Sequence, residues 1–462
     1  MNRIYVTETV GKVGETVTVA GWVHRIRDHS KVLFIDLRDR TGLLQVVSGG
    51  WAGESYEVLK SAGTEDVVEI TGTVAARPEK LVNPELETGT VELQATEVRI
   101  LNKSQVTPFA VNEDTADVEE ELRLKYRYLD MRTSRVRNNL VDRARIVSFL
   151  RNRLEKEHFI EVETPHLSAT TPEGARDYLV PTRHKGMFFA LPQSPQQYKQ
   201  LLMVGGIERY YQIARCFRDE DGRRDRQPEF TQLDMEMSFV EREDVMALNE
   251  KILIELVTEL YPEKRIQQVP FPRLSYAEAM EKYGTDRPDL REDKNDSNLL
   301  AFCWVIDFPF FEKTEEGGWT FTHNPFSLPK PEHMDQFMAG ENIPDILTTQ
   351  YDVVLNGFEI GGGSIRNHNP EGIRKTFEIM GYSTESIDRD FGHMIQAMSF
   401  GAPPHGGIAW GFDRFVMIMR GESNIREIIA FPKSGESRDP LMSAPSSLQP
   451  EQLKELGLKV IE

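Results

Sequence analysis

One stretch in the middle of the chain decides the fold: residues 215–234, RCFRDEDGRRDRQPEFTQLD. Its five arginines and the acids between them separate two strand-like runs, Tyr210–Ala214 and Phe230–Phe239. The stretch predicts antiparallel strands joined by a charged loop, although a solvated hairpin tip would have the same composition. Polar or aromatic side chains occupy every second position after the loop, at Phe230, Gln232, Asp234 and Glu236. Because alternate residues of a strand share one face, this face suits the floor of a pocket better than a hydrophobic core.

The elements around this stretch predict an α+β domain. Strand-like runs at Val353–Ile360 and Gly407–Trp410 are mixed with helical patterns at Asp244–Leu260 and Asp413–Met419. They lack the regular alternation of strand and helix that is typical of a doubly wound parallel sheet, so we expect an antiparallel sheet flanked by helices. A long polar helix over Arg135–Glu157, with apolar residues along one side, opens this domain.

The first hundred residues have the pattern of a small β-barrel. Five apolar or alternating runs are separated by glycine-containing turns: Thr16–Ala20, Val32–Leu37, Leu43–Val47, Val67–Val74 and Thr90–Leu101. A helical pattern at Trp51–Ala62 follows the third run, where a five-stranded oligonucleotide-binding (OB) barrel has its helix. A generic small barrel would give the same strands. We predict an OB domain over residues 1–106, a hinge over 107–134 and the larger domain over 135–462.

Composition limits the classes of function. The 462 residues carry a formal net charge of -19, so we expect no DNA partner and no general binding of polyanions. The basic segment Arg123–Arg153 can still present one surface to RNA. The two cysteines, Cys216 and Cys303, cannot build a disulfide framework or a cysteine-ligated zinc site. No apolar signal or membrane segment is found, which predicts a cytoplasmic protein without a membrane partner.

Three segments of the chain resemble the signature motifs of class II aminoacyl-tRNA synthetases. Phe217–Glu220 running into Arg226–Asp234 is similar to the second motif, Gly411–Arg414 to the third, and Phe159–Pro165 to the first, dimer-forming motif. The resemblance implies an antiparallel catalytic sheet, ATP as a substrate and a homodimer. The sequence has no glycine-rich phosphate loop, so arginines are the groups available to hold phosphates.

Within class II, the chain is most similar to the aspartyl-tRNA synthetases. Four further segments carry this resemblance: residues 171–177 (TPEGARD), 193–199 (QSPQQYK), 359–366 (EIGGGSIR) and 430–433 (AFPK). The resemblance implies an enzyme that activates L-aspartate with ATP to aspartyl-adenylate. The aspartyl group then passes to the 3′ end of tRNA.

The same resemblance implies the residues that bind ATP. Arg218 would bridge the aspartate carboxylate and the α-phosphate, two anions that repel each other without a cation between them. Adenine would stack on Phe230 with Arg414 against its other face, which makes Arg218 and Arg414 the implied catalytic residues. The full set of implied ATP contacts is Arg218, Asp219, Glu220, Gln227, Phe230, Glu359, Gly411, Phe412, Asp413 and Arg414.

Selection of aspartate needs cations directed at its side-chain carboxylate, because a buried unpaired carboxylate is costly. The resemblance assigns that role to Lys199 and Arg366, with Asp234 orienting both. The other implied aspartate contacts are Glu173, Ser194, Gln196, Arg218 and His323. Many members of the family have a second histidine after the one that His323 matches, whereas this chain has Asn324.

Asp352 and Glu359 are the implied ligands of Mg²⁺, which prefers carboxylate and phosphate oxygens. On one straight strand these two side chains would face opposite ways. Asn356-Gly357 between them predicts a two-residue hairpin turn that pairs Val354 with Glu359 and sets Asp352 diagonally beside it. Both acids could then reach one metal ion. Without the motif, two solvated surface acids would be the simpler interpretation.

In the barrel, Arg27, Phe34 and Gln45 match residues that read the tRNA anticodon, by stacking and by hydrogen bonds to base edges. His29 lies in the turn before the strand of Phe34, near the expected third anticodon base. In the family that the chain resembles, enzymes that also aspartylate tRNA for asparagine often have a histidine at the position of His29. Lys80, in contrast, resembles the residue found in enzymes that charge only tRNA for aspartate. We favour the relaxed alternative and leave the strict one open.

One large departure from the bacterial members is expected. They carry an insertion domain after the sequence that matches Arg287–Leu290, whereas here residues 291–297 run directly into the apolar segment 298–309. The insertion is therefore absent from this chain.

Two rival functions share parts of this pattern. An asparagine enzyme or an amide-forming relative would have the same sheet, but Lys199 and Arg366 suit a carboxylate better than an amide. A non-catalytic RNA-binding descendant would retain the barrel and lose Arg218, Glu359 or Arg414, all of which are present.

Overall fold

The computed structural model of the chain describes residues 3–170 and 174–461. The predicted aspartate contact Glu173 lies outside the described residues. The chain divides into two compact units between Arg137 and Asn138, so the segment predicted as a hinge groups with the barrel. Within the described ranges, no helix combines the length and the apolar composition that crossing a membrane requires.

The first unit contains a closed five-stranded barrel with the strand order β1-β2-β3-β5-β4. Its strands are β1 (Thr16–Asp28), β2 (Val32–Arg38), β3 (Leu43–Gly49), β4 (Val67–Ala76) and β5 (Val91–Asn102), with helix α1 (Glu54–Lys60) between β3 and β4. The predicted OB barrel is confirmed, and β1 runs to Asp28 rather than ending at Ala20. One fully buried apolar side chain from each strand meets in the core: Val19, Ile35, Val46, Ile70 and Leu93.

After the barrel, two short helices, α2 (Glu120–Lys125) and α3 (Arg127–Asp130), are built around a buried carboxylate. Asp130 is fully buried and accepts hydrogen bonds from Arg127 at 2.5 Å and from Arg123 at 3.3 Å. The hydroxyl of Thr115 donates to the same carboxylate. A buried carboxylate requires such donors. These contacts therefore hold Thr115, α2 and α3 together within the segment that was predicted as a hinge.

The second unit is organised by an eight-stranded sheet with the order β12-β14-β17-β18-β19-β10-β9-β6. Its inner pairs are antiparallel, as predicted, whereas the edge strands β12 and β6 pair in parallel with β14 and β9. The strands of this unit are β6 (Ile160–Glu161), β7 (Leu179–Pro181), β8 (Phe188–Ala190), β9 (Arg209–Phe217), β10 (Glu229–Ser238), β11 (Arg265–Ile266), β12 (Arg273–Ser275), β13 (Leu299–Leu300), β14 (Phe302–Ile306), β15 (Phe311–Lys313), β16 (Trp319–Phe321), β17 (Tyr351–Leu355), β18 (Phe358–Ile365) and β19 (His405–Gly411).

Helices flank this sheet, as an α+β fold requires. They are α4 (Ser134–Lys156), α5 (Gln196–Val204), α6 (Arg242–Leu260), α7 (Tyr276–Tyr283), α8 (Met334–Ala339), α9 (Pro370–Ile379), α10 (Thr384–Ser399), α11 (Phe412–Met419) and α12 (Pro450–Leu456). The predicted helices over Arg135–Glu157, Asp244–Leu260 and Asp413–Met419 are confirmed to within two residues at each end. Within the segment Phe159–Pro165, which resembles the first motif, only Ile160–Glu161 (β6) form a strand.

Helix α4 packs against the sheet through one apolar stripe. Ile146, Leu150 and Leu154 follow each other at four-residue spacing and are fully buried. They share a core with Leu233 and Met235 of β10, whose side chains point to the face opposite Phe230 and Asp234. Burying each such side chain stabilises the fold by roughly 1.5–3 kcal/mol. The sheet therefore has a core face under α4 and an opposite, polar face.

Candidate functional site

A cavity of about 490 Å³ opens on the polar face of the sheet, next to β10, β18 and the start of α11. It collects most of the residues predicted to bind ATP: Arg218, Glu220, Gln227, Phe230, Glu359, Gly411, Asp413 and Arg414. These residues come from four separate stretches of sequence, and antiparallel pairing of β9, β10, β18 and β19 brings the stretches together.

Two of the predicted ATP residues do not line this cavity. Phe412 is fully buried in the hydrophobic core, because the first turn of α11 directs its ring under the sheet. Asp219 is exposed and lines a neighbouring cavity with Arg176, to whose carbonyl its backbone N–H donates at 3.0 Å. Their side chains therefore lie outside the cavity described here, and their contact with ATP stays a prediction.

The two predicted catalytic arginines reach the cavity from different sides. The guanidinium of Arg218 lies 5.1 Å from the ring centre of Phe230, within the range of a cation–π contact. Arg414 donates to the carboxylate of Asp225 at 3.0 Å and to the backbone carbonyl of Glu359. Asp225 had not been singled out from the sequence, because one acid in a loop of alternating charges gives no distinct signal.

Two cations and two acids form a buried network further along β10. Lys199 of α5 lies 2.5 Å from Asp234 and 3.3 Å from Glu236. Arg366 donates to both oxygens of Glu236, at 2.9 and 3.2 Å. No member is more than 2% exposed. None of the four residues lines the cavity, but Asp234 pairs in register with Ala409, which does line it.

The sequence had assigned the orientation of both cations to Asp234, and this is right for Lys199 only. Arg366 is held by Glu236. The sequence feature that could have identified Glu236 is its position as the last residue of the alternating polar face. Burial raises the pKa of Asp234, which Lys199 offsets only in part. Burial acts in the same direction on Glu236, but Arg366 and Lys199 outweigh it and lower the pKa of that carboxyl. Glu236 is thus the firmly ionised acid of the network.

The network leaves one donor free on each cation. A lysine has three N–H donors and an arginine five. Besides Glu236, Arg366 donates to the hydroxyl of Ser364 at 2.9 Å and to the carbonyl of Gly407 at 3.4 Å. Counting these bonds, Lys199 and Arg366 each retain one N–H that no acceptor takes within the described ranges. Each of these two neighbouring cations, which both contact Glu236, therefore has one N–H available for a further acceptor.

Glycine at position 407 makes room for this network. A Cβ atom there would lie 2.1 Å from Glu236 Oε2 and 2.0 Å from the backbone carbonyl oxygen of Met235. Both distances are far inside van der Waals contact, and one of the two atoms belongs to the backbone. Residue 407 therefore has to be glycine for Glu236 to stand where it holds Arg366.

Two other predicted aspartate contacts lie beside the network on the loop and helix that carry Lys199. Ser194 accepts the backbone N–H of Gln196 at 3.3 Å and lines a separate cavity of about 170 Å³. The buried side chain of Gln196 donates to Gln200 at 3.0 Å. Neither side chain lines the larger cavity, so the structure brings these residues near the cations without directing them into it.

The predicted hairpin between Asp352 and Glu359 is confirmed. Asn356 and Gly357 both have positive φ values, 52° and 85°, and Val354 pairs with Glu359. A bulge follows at Ile360, which the sequence did not predict, so that Asp352 pairs with Gly362. Asp352 and Glu359 still share one face. A Cβ atom on residue 362 would lie 2.7 Å from Asp352 Oδ1, so glycine leaves room for this carboxylate.

Electrostatics at these two acids suits a divalent cation. Burial and the charge of Asp352 raise the pKa of Glu359, which Arg414 only partly offsets. His323 lies 3.3 Å from Asp352, and although burial alone would lower its pKa, the two carboxylates raise it to about 9. Two neighbouring carboxylates that repel each other are suitable ligands for Mg²⁺, whose remaining coordination positions phosphate oxygens can fill. No cluster of three metal-ligating side chains occurs among the described residues.

His323 lines the main cavity as predicted, whereas its neighbour does not take part. The side chain of Asn324 accepts the backbone N–H of Phe326 at 2.7 Å and closes a local turn. The position that is a second histidine in many related enzymes therefore has a backbone role here.

A second large cavity, of about 720 Å³, lies on the barrel and is lined by all four predicted anticodon residues, Arg27, His29, Phe34 and Gln45. The rings of His29 and Phe34 meet edge to face at 5.6 Å. Arg27 is held by Asp36 through bonds of 2.8 and 2.9 Å, and Gln45 donates to Glu92 at 2.9 Å. The half-buried Phe34 thus offers a ring face among fixed polar groups.

Comparison with known protein families agrees with both units. Residues 119–435 match the family described as tRNA synthetases class II (D, K and N). Residues 17–101 match the OB-fold nucleic acid binding domain, the family named for the tRNA anticodon. The first match covers well over half of the chain, and the second corresponds to the closed barrel.

Proteins similar over their whole length are named aspartate–tRNA(Asp/Asn) ligases. One from Dehalococcoides mccartyi (strain CBDB1) is 40% identical, with 98% of each protein covered. One from Rubrobacter xylanophilus is 39% identical, with 99% of this chain and 97% of that protein covered. The first alignment has 588 positions, more than the 462 residues of this chain, so that relative contains a large amount of sequence without a counterpart here.

Solved structures share the fold at lower identity. An asparaginyl-tRNA synthetase from Pyrococcus horikoshii complexed with asparaginyl-adenylate has a TM-score of 0.76 at 22% identity, covering 94% of this chain and 98% of that one. A putative aspartyl-tRNA synthetase from Leishmania major Friedlin has a TM-score of 0.75 at 20% identity, covering 93% of each. The fold alone does not separate the two amino acids. With its catalytic sheet, its barrel and full-length relatives, the chain belongs to the class II tRNA synthetases (D, K and N).

Proposed function

We propose that this protein is an aspartate–tRNA ligase that forms aspartyl-adenylate from L-aspartate and ATP and transfers the aspartyl group to tRNA. The observation that carries the choice of amino acid is the pair of unused N–H donors on Lys199 and Arg366, two buried cations that both contact Glu236. The full-length relatives named for this activity support the same assignment.

The donor pair discriminates between aspartate and asparagine. A carboxylate accepts hydrogen bonds at both oxygens, so it satisfies Lys199 and Arg366 together. An amide offers one acceptor oxygen, and its NH₂ group would meet an N–H of the protein. One buried donor would remain unsatisfied, at a cost of about 1–3 kcal/mol. The network thus favours aspartate over asparagine, although solved asparagine enzymes have the same fold.

Adenylate formation needs two anions to meet in line. An oxygen of the aspartate α-carboxylate attacks the α-phosphorus of ATP, the bond to the bridging oxygen of pyrophosphate breaks, and pyrophosphate leaves. Arg218 is the cation positioned to lie between the two anions, and Phe230 and Arg414 would hold the adenine. In the second step a hydroxyl of the terminal ribose of tRNA attacks the carbonyl carbon, and AMP leaves.

Asp352 and Glu359 are the residues that would hold Mg²⁺. When bound, the ion supplies positive charge to the phosphate oxygens of ATP. His323, which lies 3.3 Å from Asp352, lines the same cavity.

The barrel cavity is proposed as the anticodon site. Phe34 would stack with one base, while Arg27 and Gln45, fixed by Asp36 and Glu92, would bond to base edges. His29 packs against Phe34 and has a ring that can donate to the edge of either C or U. We extend the proposal to tRNA(Asn), in agreement with relatives named for tRNA(Asp/Asn).

We also propose that two copies of the chain associate through the region of the first motif. Large apolar side chains are exposed on α4, on β6 within that motif and on the strands that follow it: Val141 of α4, Ile160 of β6, Leu179 of β7, and Phe188 and Phe189 of β8 are 43–55% exposed. Strands β7 and β8 pair with each other, so three of these side chains belong to one hairpin. Exposed apolar groups concentrated in this way are typical of an interface.

The first prediction is that aspartate alone among the standard amino acids supports ATP–pyrophosphate exchange, without tRNA. Every residue proposed for adenylate formation lies in the second unit, so tRNA is not needed to complete the site. Exchange that is driven better by asparagine would refute the proposed function.

The variant that accompanies this panel is Arg366→Leu. It removes one of the two donors and leaves Glu236 without its bidentate partner. Aspartate-dependent exchange should fall by the equivalent of roughly 3 kcal/mol or more. Arg366→Lys retains the positive charge but not the paired N–H groups that bond to both oxygens of Glu236, so its exchange activity should fall less than that of Arg366→Leu. Unchanged aspartate affinity in a folded Arg366→Leu protein would mean that the aspartate pocket is elsewhere.

The second prediction concerns the barrel. Phe34→Ala should weaken aspartylation of tRNA by about 1–3 kcal/mol in kcat/KM, the usual contribution of one stacked base. ATP–pyrophosphate exchange should not change, because Phe34 lies in the first unit. Trp51→Ala, which removes an exposed aromatic ring of the same unit that does not line this cavity, is the matched control. Equal charging by wild type and Phe34→Ala would contradict the anticodon assignment.

The third prediction is that purified enzyme aspartylates an unmodified tRNA(Asn) transcript as well as a tRNA(Asp) transcript. The measurement is acid-precipitable labelled aspartate on each RNA. Background charging of the asparagine transcript, with normal charging of the other, would show that the enzyme is strict and that the histidine at position 29 does not relax recognition.

The fourth prediction is a dimer at micromolar concentration in sedimentation velocity. Phe188→Asp should shift the protein toward monomer, because a charge on β8 cannot be buried without a partner. A wild-type protein that sediments only as a monomer would exclude this interface.

A further inference from the structure

One side chain of α4 contacts two residues that line the ATP cavity, and it does so from the core face of the sheet. Arg143 lies on the core side of the sheet, its side chain is 19% exposed, and it does not line the cavity. Its guanidinium donates to the carboxylate of Asp413 and to the hydroxyl of Thr231, the latter at 2.9 Å. It also lies 4.8 Å from the ring centre of Phe412. A single arginine thus touches both β10 and the first turn of α11.

With this contact, both oxygens of the Asp413 carboxylate have a hydrogen-bond donor. One of its oxygens accepts from Arg143, and the other accepts the backbone N–H of Thr231 at 2.8 Å. Asp413 is 3% exposed and Thr231 is 4% exposed. A carboxylate so deeply buried needs both donors, so α11 is held at one position relative to β10 as long as Arg143 is present.

The two groups proposed to hold adenine are the immediate neighbours of these clamped residues. Phe230 precedes Thr231 in β10, and Arg414 follows Asp413 in α11. A shift of α11 against β10 would therefore change the gap between the ring of Phe230 and the guanidinium of Arg414. Misplacement of a reacting or clamping group by about 1 Å is enough to reduce a rate by two orders of magnitude.

We propose that Arg143 is a positioning residue for ATP, which sets the spacing of the adenine clamp from the opposite face of the sheet. The inference rests on the proposed function in that it takes ATP as the occupant of the cavity. It goes beyond that function by assigning a role to a residue that contacts no substrate.

The aspartate end of the site is independent of this contact. Lys199, Asp234, Glu236 and Arg366 bond to one another, and none of them bonds to Arg143 or Asp413 within the described ranges. Loss of Arg143 should therefore act on the Michaelis constant for ATP and spare that for aspartate. A merely structural ion pair would not produce this division.

Arg242 provides a matched control. It begins α6, is 24% exposed and donates to Asp307 at 2.7 Å, so its own exposure is similar to that of Arg143. Its partner differs, because Asp307 is 21% exposed and also lies 3.3 Å from Lys330. Neither Arg242 nor Asp307 lines the cavity. Removing Arg242 thus breaks a partly exposed ion pair without touching the clamp.

The test compares Arg143→Ala, Arg143→Lys and Arg242→Ala with wild type in ATP–pyrophosphate exchange, after melting curves have shown that each is folded. We expect Arg143→Ala to raise the KM for ATP by at least about tenfold and to change the KM for aspartate by less than about twofold. Arg143→Lys should recover part of the loss, because an ammonium pairs with Asp413 but does not bridge to Thr231 as well. Arg242→Ala should leave both constants unchanged.

Equal values for Arg143→Ala and wild type would overturn the inference, as would the same ATP effect in Arg242→Ala or an effect on aspartate alone. If Arg143→Ala does not fold, Thr231→Val takes its place with a smaller expected rise; it removes the hydroxyl that accepts from Arg143 and from Arg215, so Arg215→Ala, which should leave the KM for ATP unchanged, is measured beside it. Calorimetric binding of ATP to the same proteins separates the two proposals. Wild type without aspartate-dependent exchange would refute the function, whereas undiminished ATP binding by the Arg143 variants would refute the positioning role.

Discussion

Ionised side chains in the middle of a sheet have to be neutralised where they stand, because water does not reach them. Asp234 and Glu236 occupy such positions on β10, and their cations come from a helix on one side and from the end of β18 on the other. This constraint extends to the neighbouring strand, where residue 407 has to be glycine. The hydroxyl of Tyr351 donates to the carbonyl of the same glycine at 2.8 Å. The network thus fixes four strands and a helix around one point.

Local patterns in the sequence predicted much of this arrangement. The Asn356-Gly357 turn determined which residues of β17 and β18 face each other, since a two-residue hairpin leaves little choice of register. Period-two alternation placed Asp234 and Glu236 on one face before any partner was known. The barrel followed from strand count and the position of one helix. For the turn and the alternation the information lies within about ten residues, which is the reach of turn chemistry and periodicity, and the barrel adds several such local patterns in order.

Contacts between distant parts of the chain were not predictable in this way. The pair formed by Arg143 and Asp413 joins residues 270 positions apart, and Arg143 looks like any polar residue of an exposed helix face. The bulge at Ile360 depends on how β18 fits between two neighbours, which no local rule contains. Side-chain direction was also missed for Phe412, where a motif residue serves the core rather than the cavity.

The structure also shows how the chain closes around residues 291–297, where the sequence indicates that the insertion is absent. Arg291 folds back on Asp289 through bonds of 3.0 and 2.8 Å, and the N–H of Glu292 donates to Gln267 at 2.9 Å. The connection to β13 is therefore short and internally bonded. All residues assigned to adenylate formation lie outside it.

The balanced network has a consequence for how amino-acid specificity can evolve in this protein. Two positive and two negative groups cancel, so replacing any one of them by a neutral residue leaves a buried charge without its partner, at a cost of about 3–5 kcal/mol. Single substitutions toward a new substrate thus pass through a destabilised protein. Changes made in pairs, one cation together with one acid, avoid that barrier. Substitutions in this pocket are therefore strongly epistatic. A shift of specificity has to change both members of a pair at once, either Lys199 and Asp234 or Arg366 and Glu236.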